Sequence, residues 1–302
     1  MSRWLGVYLR GMAMGAADVV PGVSGGTIAL VVGVYEELIR TLSGLSPALL
    51  RVWREQGFAA AWRAGNLGFL VSLLAGILSA IVLLAQLVSH LIVAHPVPLW
   101  SFFLGLIVAS IFVLLRPIPW DRMRNWLLFV AGVLVGFGVI SLPRVSGIEP
   151  TPWIYFLSGA MAICAMILPG ISGSFILVIL GMYAPVLAAV KDFNLWIIFC
   201  FAAGCATGLL SFVHLLRWLL ARWHDSIMCL LVGFMGGTLV VLWPWQVPQG
   251  ANVVYVLPAQ YSALTGLSAQ WPLALLAAAV GVAAVLLLNR FAGVRGDGSA
   301  RS

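Results

Sequence analysis

Two short runs concentrate the residues able to do chemistry: Pro21-Gly22-Val23-Ser24-Gly25-Gly26-Thr27 and Pro169-Gly170-Ile171-Ser172-Gly173-Ser174. Proline removes an amide donor and ends an incoming helix. Glycine lets backbone approach a ligand closely. Ser24 and Ser172 are good N-cap types for a helix restarting after the break. The first amides of such a helix lack intrahelical partners, and the helix end carries roughly half a positive charge. Ser24, Thr27, Ser172 and Ser174 add hydroxyl donors. The expected chemistry is anion recognition without a fixed cation. A phosphate monoester suits it, with about −1.5 to −2 charge and three acceptor oxygens. Neither run contains Arg or His, so neither offers the cationic charge that phosphate hydrolysis usually needs.

Charged residues near these runs are few. Asp18 lies three residues before Pro21 in apolar sequence. A carboxylate at membrane depth is costly and marks a functional candidate. It could take a proton, bind a cation or cap the amides of the break. Glu36 and Glu37 stand near the end of the returning segment beside Arg40, where a surface ion pair is the plainest expectation. Glu36 is kept as a gating candidate. Arg10, in the first arm, could reach a phosphate or extend outward to the interface. His90, His95, His214 and His224 fall near helix ends and are expected to be solvated or interfacial. The four cysteines lie in apolar segments without zinc-ligand spacing to histidine. No metal or cofactor is expected.

The elements that must position these runs are membrane helices. Hydrophobic residues make up 63% of the 302, charged residues 8%, and mean hydropathy is +1.10. A soluble domain averages about 25% charged residues. Several runs reach the ~20 apolar residues a spanning helix needs, and none alternates as a barrel strand would. The formal charge of +7 comes from residues in short connectors, which argues for orientation in a membrane rather than nucleic-acid binding. The first run is not read as a cleavable signal. The expected order is a broken hairpin over residues 4–42, an amphipathic surface helix over 46–63, and spans near 66–93, 98–115 and 125–141. A second broken hairpin over 153–190 precedes spans near 193–216, 226–243 and 271–288. One membrane domain would cover residues 1–290, with a polar tail at 291–302.

The two halves repeat, about 4–141 and 153–288. Pro21, Gly22, Ser24, Gly25, Gly33 and Tyr35 match Pro169, Gly170, Ser172, Gly173, Gly181 and Tyr183 at a constant offset of 148 residues. Asn66, Gly76 and Gly105 then match Asn194, Gly204 and Gly233 at an offset of 128. The difference corresponds to the amphipathic segment, present once. Met166 stands where the first half has Asp18. A hairpin adds no net crossing and three spans invert the direction, so the fold class expected is an all-α polytopic membrane protein of two inverted-topology repeats. Each repeat is a re-entrant broken-helix hairpin plus three transmembrane helices. With the N-terminus in the cytoplasm, fourteen of the 16 Lys and Arg residues lie on that side; Arg144 and Lys191 do not. Parity is the same for re-entrant and fully spanning hairpins. The uncharged tips and arms of roughly 17 residues favour re-entrance. Gly132/Gly136 and Gly204/Gly208 have small-xxx-small spacing and read as packing sites.

Gly15-Ala-Ala-Asp-Val-Val-Pro-Gly-Val-Ser-Gly-Gly-Thr-Ile-Ala with Gly33-Val-Tyr-Glu36, and Leu168-Pro-Gly-Ile-Ser-Gly-Ser with Gly181-Met-Tyr, resemble the polyprenyl-phosphate transporter family over about residues 5–290. The resemblance implies translocation of undecaprenyl phosphate across the bacterial cytoplasmic membrane, recycling the carrier of envelope polymers. Asp18, Pro21, Gly22, Ser24, Gly25, Gly26, Thr27 and Glu36 stand at its motif positions. The implied partners are the lipid and the membrane, with a proton or sodium ion as a coupling hypothesis, a homodimer as an open option and no nucleic acid. Two other classes compete: a membrane-embedded polyprenyl-diphosphate phosphatase, and an anion channel or small-anion transporter. Only the head group needs shelter, since lipid solvates the tail. A cavity open laterally to lipid, with the tips at its floor, is therefore expected.

Overall fold

The computed structural model describes residues 3–19, 24–143, 145, 149–249 and 252–293. Their regular structure is helical apart from one antiparallel hairpin, β1 (Gln246–Gln249) with β2 (Asn252–Tyr255). Among the described residues, five helices are long and apolar enough to cross a membrane, or up to six if a bent pair counts as one span. The longest described helix free of Asp, Glu, Lys and Arg is α6 (Leu67–Ala94). Its 28 residues extend about 42 Å, more than the ~30 Å of hydrocarbon.

Contacts divide the chain into two units, each drawing on both sequence halves. The first holds Met1–Val82 and Ser141–Met228. It contains both hairpins: α1 (Arg3–Asp18), α2 (Gly25–Val31) and α3 (Tyr35–Gly44), then α9 (Pro152–Ile167), α10 (Gly173–Ile179) and α11 (Tyr183–Lys191). It also holds α4 (Pro47–Gln56), α5 (Phe58–Ala64), the start of α6 and most of α12 (Leu195–Gly237). The run from Leu195 to Leu242 is broken at Trp223 (φ −139°, ψ 51°), between the two spans expected there.

The incoming arms match the expected length, 16 residues in both α1 and α9. The returning arms differ from the single helix expected. Each is a seven-residue helix followed by a second break, at Gly33 (φ +71°) and Gly181 (φ +69°). The left-handed conformation admits glycine without strain and turns the chain sharply, so that α10 and α11 meet at 109°. The amphipathic segment is likewise two helices, α4 and α5, meeting at Gly57.

Direct backbone contact holds each incoming arm to a span. A Cβ on Gly11 would strike the Leu73 carbonyl, and one on Gly76 the Tyr8 carbonyl. In the second half, Gly159 meets the Phe201 carbonyl and Gly204 the Phe156 carbonyl. These are the same two contacts, displaced by 148 residues in the arm and 128 in the span. Gly208 meets the Ala160 carbonyl, consistent with its reading as a packing site. Val71, Leu74, Leu78 and Val82 form one exposed apolar stripe on α6, the face a lipid would cover.

Polar contacts gather the ends of α1, α3 and α6 and the Trp223 break. Arg3 pairs with Glu37 at 3.0 Å, and Asn66 Nδ2 donates to Glu37 and to Thr41 Oγ1. Arg217 donates to Ser43 Oγ at 3.2 Å.

The second unit holds Leu83–Ile140 and Cys229–Ser302. In it α7 (Pro96–Leu115) packs on α14 (Trp271–Gly293), with Gly105 against the Ala278 carbonyl and Gly281 against the Phe102 carbonyl. The C-terminal part of α12 packs on α8 (Met123–Ile140) in the same manner: Gly132 meets the Leu230 carbonyl and Gly136 that of Phe234. The β-hairpin and α13 (Pro258–Thr265) were not foreseen in sequence; they close one end through Val97, Val256, Tyr261 and Ala274.

Candidate functional site

The two tips lie together within the first unit. Pro21 and Gly22 fall outside the described residues; Ser24, Gly25, Gly26 and Thr27 are buried. As expected, Ser24 caps α2 by accepting from the Gly26 amide at 3.1 Å, and Ser172 caps α10 by accepting from the Phe175 amide at 3.2 Å. The short polar side chain supplies the acceptor that the first turn lacks.

Contacts between the tips are mutual. Thr27 Oγ1 accepts from the Gly170 amide at 2.7 Å. Ser24 Oγ lies 3.5 Å from the carbonyls of both Met166 and Leu168. Gly26 has no room for a side chain: a Cβ there would lie 2.9 Å from the Ile167 carbonyl oxygen. Pro169 is buried in the same join, and Gly173 abuts the Ala162 carbonyl. Ser172 and Ser174 differ: their hydroxyls are 3.1 Å apart and face outward.

Asp18 takes the capping role. Its Oδ1 accepts from the Gly25 amide at 2.7 Å. The carboxylate thus occupies an amide of the break that would otherwise be free to meet another acceptor. Met166, its repeat counterpart, is 46% exposed and contributes no charge. Glu36 does not pair with Arg40; it meets His224 Nε2 at 2.9 Å across 188 residues of sequence. Arg10 is half-buried in α1, about 12 Å along the axis from Asp18, so it is not brought to the tips.

A cavity of about 250 Å³ opens beside this join, lined by Asp18, Gly25, Gly26 and Tyr35 with otherwise apolar side chains from α1, α3, α6, α9 and α12. Its rim includes Leu74 and Met166, each 46% exposed. Sequence reasoning used Tyr35 only as a mark of the repeat. It lines the same cavity as Asp18 and lies just after the second break at Gly33, which the sequence reading did not contain.

Thr27→Val tests the join. It keeps the shape and removes the acceptor of the Gly170 amide. Thermal unfolding should show a loss of about 1–2 kcal/mol, largely restored in Thr27→Ser. Equal melting of Thr27→Val and wild type would remove this bond from the join.

The fold and this site define a polytopic α-helical membrane protein with a polar, twice-broken pair of hairpins inside an apolar body. A profile of the VCA0040-like family, described as undecaprenyl phosphate translocase-like, matches residues 14–256. The chain belongs to that family. It is 47% identical over 301 residues to a polyprenyl-phosphate transporter of Vibrio cholerae serotype O1, covering 96% of this chain and 97% of that one. It is 30% identical over 260 residues to a polyprenyl-phosphate transporter of Staphylococcus aureus, covering 80% and 87%. No solved structure matches.

Proposed function

We propose that the chain translocates polyprenyl phosphate, specifically undecaprenyl phosphate, across the bacterial cytoplasmic membrane. It returns the lipid carrier of peptidoglycan and other envelope polymers to the cytoplasmic leaflet, as a flippase with both termini cytoplasmic. Two inverted repeats in one membrane domain form the path. The observation that carries this reading is the apposition of the tips, with the Gly170 amide on Thr27 Oγ1 at 2.7 Å. It puts two Gly-Ser breaks in one place, beside a cavity whose rim is apolar and exposed.

An unsheltered phosphate in hydrocarbon would cost on the order of 20 kcal/mol in an idealised Born picture. The tips offset this cost with donors fixed in place: Ser172 and Ser174 first, then the amides of the broken backbone, with Ser24 and Thr27 behind them. The Gly25 amide becomes available when Asp18 withdraws. The isoprenoid tail stays in lipid and needs no polar path. Exchange of Asp18 and phosphate at one amide gives the acid a gating role, and a proton or sodium ion arriving at Asp18 would couple to it. Glu36, tied to His224, would gate the same hairpin at its far end.

The test is leaflet-resolved transport of undecaprenyl phosphate in proteoliposomes. Ser172→Ala with Ser174→Ala should lower the rate about tenfold, the effect of losing one or two hydrogen bonds to a charged group. Wild-type protein that moves chloride or free phosphate but no polyprenyl phosphate would refute the reading. So would diphosphate hydrolysis by the pure protein that Ser24→Ala abolishes.

A further inference from the structure

We infer that α4 and α5 form a lobe that binds one anionic glycerophospholipid of the surrounding bilayer. The cavity between the two helices takes part of one acyl chain, and Arg51, Arg54 and Arg63 supply the charge that selects an anionic head group. The ligand is a lipid of the bilayer, not the lipid to be moved, so the inference stands apart from what the hairpin tips carry.

Four observations lead to it. The first is the cavity. It holds about 280 Å³ and is lined by Leu49, Leu50 and Trp53 of α4, Phe58 and Ala61 of α5, and Leu67 of α6, with Ser46 as the one polar residue. Gly57 (φ +85°) turns the chain between the helices, and Leu49 closes on Gly65, its Cδ2 lying 2.9 Å from where a Cβ would be. The second is exposure. Leu50, Trp53 and Phe58 are each more than half exposed, on helices of 10 and 7 residues that are too short to cross a bilayer. Such side chains on short helices beside a span belong in the interfacial zone, where their apolar face meets acyl chains.

The third is charge. Leu49, Leu50 and Trp53 share one face of α4, and Arg51, Arg54 and Glu55 lie on the other. Residues 46–65 carry three Arg against one Glu. None of the three arginines has a carboxylate partner among the described residues. Unpaired guanidinium groups around an apolar cleft complement a phosphate head with net negative charge. The fourth is that the lobe occurs once. The repeat offset falls from 148 to 128 across it, so the second hairpin has no counterpart and the lobe is accessory to the doubled machinery.

Size and charge together choose the ligand. The cavity is slightly smaller than the usual small-molecule range of about 300–1,000 Å³. It admits a stretch of one chain and leaves the second chain in the bilayer. The surplus of arginine favours an anionic head over a zwitterionic one.

The experiment is native mass spectrometry of the delipidated full chain in neutral detergent, titrated with phosphatidylglycerol, lysophosphatidylglycerol, phosphatidylcholine and glycerol 3-phosphate. One phosphatidylglycerol should bind about tenfold more tightly than phosphatidylcholine. Lysophosphatidylglycerol should bind nearly as well, since one chain suffices, and glycerol 3-phosphate should not bind. Arg51→Gln, Arg54→Gln and Arg63→Gln combined should weaken phosphatidylglycerol about tenfold without changing the Tm of the lipid-free protein, and the three Arg→Lys changes should restore most of the loss. Leu50→Trp, which fills the cavity with the charge intact, should also weaken it about tenfold. Leu78→Trp, on the exposed stripe of α6, should match wild type. Farnesyl phosphate at equal concentration should not displace the bound phosphatidylglycerol. Equal binding of phosphatidylglycerol and phosphatidylcholine would overturn the inference. So would wild-type binding by Leu50→Trp, which would reduce the lobe to a charged surface. Displacement by farnesyl phosphate would assign the lobe to the transported lipid and overturn it too.

Discussion

Asp18→Asn should fold like wild type, bind polyprenyl phosphate about tenfold more tightly and transport it at least tenfold more slowly. The Gly25 amide keeps an acceptor at 2.7 Å, now an uncharged one, so the tip stays capped. Removing a like charge next to a phosphate in a partly desolvated place is worth on the order of 1–3 kcal/mol of affinity. On the proposed mechanism the same charge lets phosphate and carboxylate displace each other, and the amide group of Asn lacks it. Transport would then be limited by release. Asp18→Ala differs: it leaves the amide unpaired and should also lower the Tm. Rates and apparent affinities from the proteoliposome assay separate the two. If Asp18→Asn transports as wild type does, with the same pH dependence, Asp18 neither gates nor couples.

Gly204→Leu and Gly76→Leu should yield little folded protein. A Cβ at Gly204 would be driven into the Phe156 carbonyl and crowd the Cα of Phe156, and one at Gly76 into the Tyr8 carbonyl. These neighbours are backbone and cannot rotate away. Overpacking costs about 1–3 kcal/mol where side chains can adjust, and more here, because a whole arm must separate from its span. The readout is the monodisperse fraction after detergent extraction. Gly138→Leu is the control, since nothing lies within 4 Å of a Cβ there. Equal yields from all three variants would show that the arms do not depend on these seams.

The spans were legible because the bilayer imposes a length and an apolar composition that a sequence displays directly. The N-caps at Ser24 and Ser172 were legible because capping is local, settled within three residues. The repeat was legible from offsets, which the glycine seams now share residue for residue. The second breaks were not. A single glycine in an apolar run disfavours a helix by only about 1 kcal/mol, so Gly33 and Gly181 marked the alignment without announcing a turn. The partner of Glu36 was hidden for another reason. Arg40 is one helical turn away, whereas His224 is 188 residues away, and only the folded chain ranks them. The tips were read as donors awaiting a ligand. The structure has them bonded to each other, because two polar breaks in an apolar body can satisfy one another.

The bond between Thr27 and the Gly170 amide spans 143 residues, and the chain is made in order. At a synthesis rate of 5–20 residues per second, the first tip exists for about 7 to 30 s before its partner has been made. During that time Asp18 and Ser24 can already hold the Gly25 and Gly26 amides, because those bonds are local. Thr27 Oγ1 meets the Gly170 amide only once the second hairpin has arrived. Asp18, proposed above as the gate, is thus first a cap that holds the Gly25 amide while the second half is made.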